Sequence, residues 1–281
     1  MIHIEYINEI INLDNFNSNN HPKFPDDMEA NNLDYKTELW KTNLSNYYDL
    51  INYPVSWTYD FNLNESKILL KACQTGFISG RYPKIYNDEL EIIINRLNSC
   101  WKPGSWFFRL DACSTKDSII EPPFESSNTV ITSLVTSRRV INALTDNLCR
   151  NLNTRIYFIP FNIKWDSSRE IRCFIRKNKL TAISQYNWTN REFFCDLTKE
   201  QLINLANKIN KFVGNIIKDL SNKIGTQDIT IDIYVDDEYL HIIELNSFGY
   251  WLACGSALFH WIKDYDKLYN TYGNIYFRIL G

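Results

Sequence analysis

An α+β fold with two lobes beside one cleft is the expectation for this sequence, and three observations lead to it. Helical stripes dominate up to Trp101, strand-like runs dominate after Pro103-Gly104, and two well-marked hairpins follow. The 281 residues suffice for one large domain or two small lobes. Hydrophobic residues at 44% and aromatics at 15% keep the chain well away from compositions that stay disordered.

Residues 12–32 are polar and punctuated by Pro22 and Pro25, which reads as a loop. Leu33 to Leu50 carries Leu39, Trp40, Leu44, Tyr47 and Tyr48 at roughly helical spacing, and Pro54 stops it. Further helices are expected over Asn64–Ala72 and over Asp88–Leu97, where Leu90, Ile93, Ile94 and Leu97 make an apolar stripe. Ser105–Leu110 predicts a buried strand, Thr132–Leu148 a helix, and Arg155–Phe161 a second apolar strand. Ile171–Arg176 and Leu180–Gln185 flank Lys177-Asn178-Lys179, where Asn tolerates the positive φ of a tight turn, so they form a hairpin. From Thr198 to Leu220 the residues Leu202, Leu205, Ile209, Phe212, Ile216 and Leu220 follow one helical face. Thr198 and Gln201 have the spacing of a capping box, and this helix should pack on a sheet. Asp228–Val235 and Tyr239–Leu245 make a second hairpin, and a helix around Ala257–Tyr269 closes the chain.

The formal charge of −3, with 30 basic residues against 33 acidic ones, offers no broad positive surface for nucleic acid or an anionic membrane. The start, Met1-Ile2-His3-Ile4-Glu5, has no basic leader pattern, and no apolar run reaches the roughly 18 residues of a membrane span, so a cytoplasmic location is expected. Seven cysteines without CxxC spacing argue for reduced thiols rather than disulfides or a thiolate zinc site. The four histidines stand isolated, and no Ser or Cys has a base partner, so no catalytic residue is assigned.

The second hairpin carries the chemistry. In Ile229-Thr230-Ile231-Asp232-Ile233-Tyr234-Val235, Asp232 faces away from the Ile side, and in His241-Ile242-Ile243-Glu244-Leu245-Asn246 the residues 242, 244 and 246 share a face. A three-residue loop, Asp237 to Tyr239, would put Asp232 directly opposite Glu244. Facing carboxylates repel unless a cation or proton intervenes. Magnesium fits them, because it takes one or two carboxylates with an amide oxygen such as that of Asn246 and completes its shell with water and phosphate oxygens. An edge hairpin with ordinary solvent-facing polar residues is the other reading of the same pattern.

Several motifs in order then resemble the cell division cycle protein 123 family, a branch of the ATP-grasp superfamily. They are Trp106-Phe107-Phe108-Arg109-Leu110-Asp111 with Lys116-Asp117, Glu170-Ile171-Arg172-Cys173-Phe174-Ile175 followed by Lys179-Leu180 and Ile183-Ser184-Gln185, then Asp232-Ile233-Tyr234-Val235, Glu244-Leu245-Asn246-Ser247-Phe248-Gly249, and Leu258-Phe259-His260-Trp261. The chain resembles a shortened, divergent member, since residues before Trp101 match loosely and the family continues beyond the last motif into a tail.

The resemblance implies an ATP-grasp fold: two α+β lobes around a nucleotide cleft, after a mainly helical N-terminal extension. The corresponding division is 1–100 for the extension, 101–160 for the first lobe and 161–281 for the second. It implies ATP and magnesium as ligands, with Asp232, Glu244 and Asn246 on the metal. Arg109, in place of the family's lysine, and Lys116 would meet phosphate, Arg172 the triphosphate charge, and Glu170 would belong to the same site. Tyr157, Phe158 and Ile159 occupy the place of the hinge strand beside the adenine. The family's role is ATP-dependent assembly of translation initiation factor two, joining its gamma subunit to the others, so that subunit is the expected partner of a monomeric chain. Abundant Asn and Ile fit an AT-rich genome, and the factor would be a host's if the gene is viral. A carboxylate-amine ligase or a protein-modifying phosphoryl or nucleotidyl transferase is the alternative, with turnover of ATP left open.

Overall fold

Met1–Asn52 with Trp165–Gly281 forms one structural unit, and Tyr53–Lys164 forms the other. The structure, a computed structural model, describes residues 1–7, 35–51, 53–250, 252 and 254–281, so the loop expected over 12–32 lies outside the described residues.

The first unit opens with strand β1 (Ile2–Ile7) and helix α1 (Tyr35–Lys41). The helix expected up to Leu50 is shorter because the Asn46 side chain donates to the carbonyls of Trp40 and Lys41 at 2.8 and 3.2 Å, which ends α1 and leaves a single 3-10 turn at Leu44–Asn46.

The chain then builds the second unit. Strand β2 (Trp57–Phe61) is one that no expected element covers. Helices α2 (Leu63–Ser79) and α3 (Asn87–Ser99) follow, then β3 (Trp106–Leu110), α4 (Ser127–Val135), α5 (Arg138–Cys149) and β4 (Thr154–Pro160). The sheet order is β2-β4-β3, antiparallel throughout. Leu69, Leu90, Ile93, Leu97, Val130 and Leu134 from the helices pack into one core with Phe108, Ile156 and Phe158 of the sheet. A capping box between Asn62 and Glu65 starts α2, and Gly80 at φ 61° ends it. The one helix expected over Thr132–Leu148 is two. Ser126 and Ser137 each cap a new first turn, accepting from Thr129 N and Val140 N respectively, and the carboxylate of Asp117 accepts the N–H groups of Arg138 and Arg139. Thr136-Ser137 favours such a break because short hydroxyl side chains compete for backbone groups.

On return to the first unit come β5 (Glu170–Arg176), β6 (Lys179–Gln185), helix α6 (Lys199–Ile224), β7 (Ile229–Val235), β8 (Leu240–Ser247), the short helix α7 (Tyr265–Leu268) and β9 (Ile275–Leu280). With β1 they make a six-stranded sheet in the order β1-β9-β6-β5-β7-β8. The β5–β6 hairpin turns on Lys177 and Asn178, at φ 48° and 61°, as a two-residue turn with both φ positive requires. The capping box of Thr198 and Gln201 is formed, and α6 lies against β1, β6 and β9. The expected closing helix over Ala257–Tyr269 is mostly turns, with only α7 helical. Side chains from the sheet hold the backbone at Gly255 and Leu258, and Ala257 between them sits at φ 48°, outside the helical region. Phe259, Trp261 and Leu268 from this segment pack on Phe174 and Ala182 of the sheet. Strand β9 pairs in parallel with both β1 and β6. Among the described residues, no helix is long and apolar enough to cross a membrane.

Candidate functional site

Asp232 on β7 is paired with Glu244 on β8, and Thr230 with Asn246. The pairing arises differently from the sequence expectation. The strands close at Val235 and Leu240, so the loop has four residues, 236–239. That even number would shift the register, and a bulge at Ile243 shifts it back: Ile233 pairs with Ile242, and the next pair is Asp232 with Glu244. Ile242 therefore lies on the opposite face from Glu244, not on the shared face that strict alternation predicts.

Asp232 is 1% exposed, Arg172 7% and Glu244 9%. Arg172, the register partner of Asp232 on β5, donates from Nε and Nη2 to the two carboxylate oxygens at 2.8 Å each, a bidentate fork. Its Nη1 donates to the carbonyl of Gly255 at 2.6 Å, and its guanidinium lies 4.9 Å from the ring centre of Tyr186. Burial alone would pull the guanidinium pKa down, but the adjacent Asp232 carboxylate reverses this and holds it well above the ordinary value. The Asn246 amide nitrogen lies 3.1 Å from Asp232 Oδ2 and 3.4 Å from Glu244 Oε1, so one small group touches both carboxylates.

Glu170 shares the Arg172 face, two residues earlier on β5, and accepts the Trp165 indole N–H at 2.9 Å. Trp165 stacks on Tyr234 with ring centres 4.0 Å apart. Behind the site, burial pushes the Cys254 thiol up to about 11, so it is protonated at neutral pH.

The other expected residues lie in the second unit. Arg109 on β3 is buried opposite Tyr157 on β4, and its Nε donates to the Leu110 carbonyl at 3.4 Å. Tyr157 is buried, with its hydroxyl 3.4 Å from Asp111 Oδ1. The Phe158 ring is stacked on Trp57 inside the core, and its carbonyl accepts from Ser56 N, so pairing with β2 stops there and Ile159 is paired to β3 alone. Lys116 is exposed on a loop fastened by its neighbours: Thr115 accepts from Ser133 at 2.7 Å, and Asp117 from Ser137 at 2.5 Å.

Gly255, Tyr186 and Trp165 surround the charged cluster without having been singled out in the sequence. Only Tyr186 carries a signal, following directly on Ile183-Ser184-Gln185. Among the described residues, no group of three or more His, Cys, Asp and Glu is placed to hold a metal ion. The candidate set differs in composition, being two carboxylates and an amide. Its donors are hard oxygens suited to magnesium, provided the Asn246 amide makes a half-turn to present Oδ1 instead of its nitrogen.

The sequence model of the D123 family matches residues 124–280. A putative CDC123-like protein of Acanthamoeba polyphaga mimivirus is 29% identical over 174 residues, covering 58% of this chain and 51% of that protein. The translation initiation factor eIF2 assembly protein of Candida albicans is 30% identical over 108 residues, covering 37% of this chain and 30% of its own length. The chain thus spans about half of the first relative and under a third of the second. The solved structure of C-terminally truncated Cdc123 from Schizosaccharomyces pombe superposes with a TM-score of 0.62 at 17% identity, over 86% of this chain and 97% of that one, so the two share an α+β fold.

Proposed function

This chain belongs to the D123 family, and from that premise we propose that it binds ATP through a magnesium ion held by Asp232, Glu244 and Asn246, and that it serves in the assembly of translation initiation factor eIF2 through the gamma subunit. The observation that carries the nucleotide half is the convergence of those three side chains on one face beside Arg172. The assembly half is supported by family membership and by the name of the Candida albicans relative.

The bound ion would neutralise triphosphate oxygens. The protein residues set the conditions for it. Arg172 grips both oxygens of Asp232, fixing the carboxylate plane and lowering the repulsion between Asp232 and Glu244. Asn246 reaches both Asp232 and Glu244 and adds an amide to the donor set. The carboxylate oxygens of Asp232 and Glu244 attract a cation, and burial strengthens that attraction relative to water. Glu170 extends this face of β5, while Arg109, Lys116 and the β4 segment Tyr157, Phe158 and Ile159 are, within their own unit, the residues proposed for phosphate and adenine.

Co-precipitation with purified eIF2 gamma subunit, with and without ATP and magnesium, tests the assembly reading. Enrichment over a denatured-bait control that increases with the nucleotide is expected, and recovery no better than that control in either condition would overturn it.

A further inference from the structure

One register row crosses all six strands of the sheet. Glu5 on β1 pairs with Arg278 on β9, Arg278 with Ser184 on β6, Ser184 with Arg172 on β5, Arg172 with Asp232 on β7, and Asp232 with Glu244 on β8. Cross-strand partners project to the same face, so these six side chains form a polar line across it. The line is bonded into two halves. Asp232 and Arg172 make one; Arg278 makes the other, donating to Glu5 Oε2 at 2.7 Å and to both oxygens of Asp264 at 2.7 Å each.

A single backbone segment joins the halves. Ser184 Oγ accepts the Leu258 N–H at 3.1 Å, Arg278 Nη1 donates to the Leu258 carbonyl at 3.1 Å, and three residues earlier the Gly255 carbonyl accepts from Arg172. Between these points Ala257 holds φ 48°, a conformation costly for a residue with a Cβ and retained only where surrounding bonds over-determine it. The bonds from Ser184 and Arg278 act there together with the turn in which Phe259 N donates to the Ser256 carbonyl at 2.9 Å and Ser256 Oγ to the Phe259 carbonyl at 2.6 Å.

We propose that Ser184 and Arg278 are positioning residues for Arg172: by clamping Leu258 from both backbone directions they fix the Gly255 carbonyl on which the Arg172 guanidinium rests. Arg172 then presents Asp232 to the proposed ion in one orientation, a consequence for ligand binding that rests on the nucleotide reading above. Neither residue is among those proposed to hold the ion. The strand-end motif Ile183-Ser184-Gln185 thereby acquires a role in the site, in addition to holding the sheet.

The test is Ser184→Ala in the intact chain, with Arg278→Lys as a second variant acting from the other side of Leu258. Proton exchange of the Leu258 amide and of the Arg172 Nε–H is measured in 15N-labelled protein, alongside calorimetry with ATP and magnesium and the melting temperature. Exchange at both groups is expected to quicken roughly tenfold and ATP affinity to fall roughly five- to tenfold, while the melting temperature of Ser184→Ala moves by no more than about 4 °C. Unchanged exchange at Arg172 Nε, even with a faster Leu258 amide, would overturn the positioning role. Absence of ATP binding by the unaltered chain would sink the nucleotide reading alone, and the exchange comparison would still decide the role of Ser184. Should Arg278→Lys fail to fold, Ser184→Ala decides by itself.

Discussion

Asp232 faces Glu244 across β7 and β8 because Ile243 is bulged out of the ladder, a one-residue correction that offsets the even-numbered loop between the strands. The two carboxylates differ in their support. Asp232 is gripped by the buried Arg172 fork, whereas Glu244 meets Asn246. Asp232→Ala therefore strands a buried guanidinium and should cost about 3–5 kcal/mol, while Asp60→Ala, which breaks a half-exposed bridge to Arg155, should cost about 1 kcal/mol or less. Urea denaturation checks this, and equal losses would contradict it.

Acid should loosen the junction of the chain ends. Burial raises the Glu5 pKa, but hydrogen bonds from Lys267 and Arg278 outweigh it, so the carboxyl titrates below its usual 4.5. The folded state thus binds this proton less readily than the unfolded chain, and the pair's contribution is full above about pH 4.5 and is lost as pH falls through the lowered value. In denaturation series between about pH 5 and 3, Glu5→Gln should show a shallower fall in stability than the unaltered chain. Parallel slopes would show that Glu5 does not carry this dependence.

Gly76 is a point of close approach between α2 and the end of α4. A Cβ built there would lie 2.2 Å from the Val135 carbonyl oxygen, which is backbone and cannot swing away. Gly76→Ala should destabilise the chain by about 1–3 kcal/mol or more despite its better helix propensity. A gain in the denaturation midpoint would refute this packing.

Asp117 closes the first turn of α5 from a distant loop, accepting Arg138 N at 2.9 Å and Arg139 N at 3.2 Å. Asp117→Ala should cost about 1 kcal/mol and quicken amide exchange at Lys116 and at the start of α5 together. Exchange that rises at only one of the two places would separate the loop from the helix.

What local chemistry decides was legible in the sequence. The Lys177-Asn178 turn and the α6 cap rest on neighbours in the chain, and both are found as expected. Thr136-Ser137 also carried a local warning of a helix break, in two adjacent hydroxyl residues, yet the apolar spacing through them reads as continuous. The rest depends on partners far along the chain. Parallel pairing of β1 with β9 joins the two ends, and no periodicity in Ile275–Leu280 says which strands it will meet. The segment around Ala257–Tyr269 has helical spacing, but Arg172, Ser184 and Arg278 claim its backbone groups first. Alternation puts Glu244 and Asn246 on one face, whereas their meeting with Asp232 depends on the bulge, which leaves no local mark.

The most direct measurement is calorimetric titration of ATP into the unaltered chain and into Glu244→Gln, each with magnesium and with the metal chelated. Binding in the unaltered chain that needs magnesium and weakens at least roughly tenfold in Glu244→Gln is the predicted result. Equal affinity in all four titrations would place any bound nucleotide away from Asp232, Glu244 and Asn246.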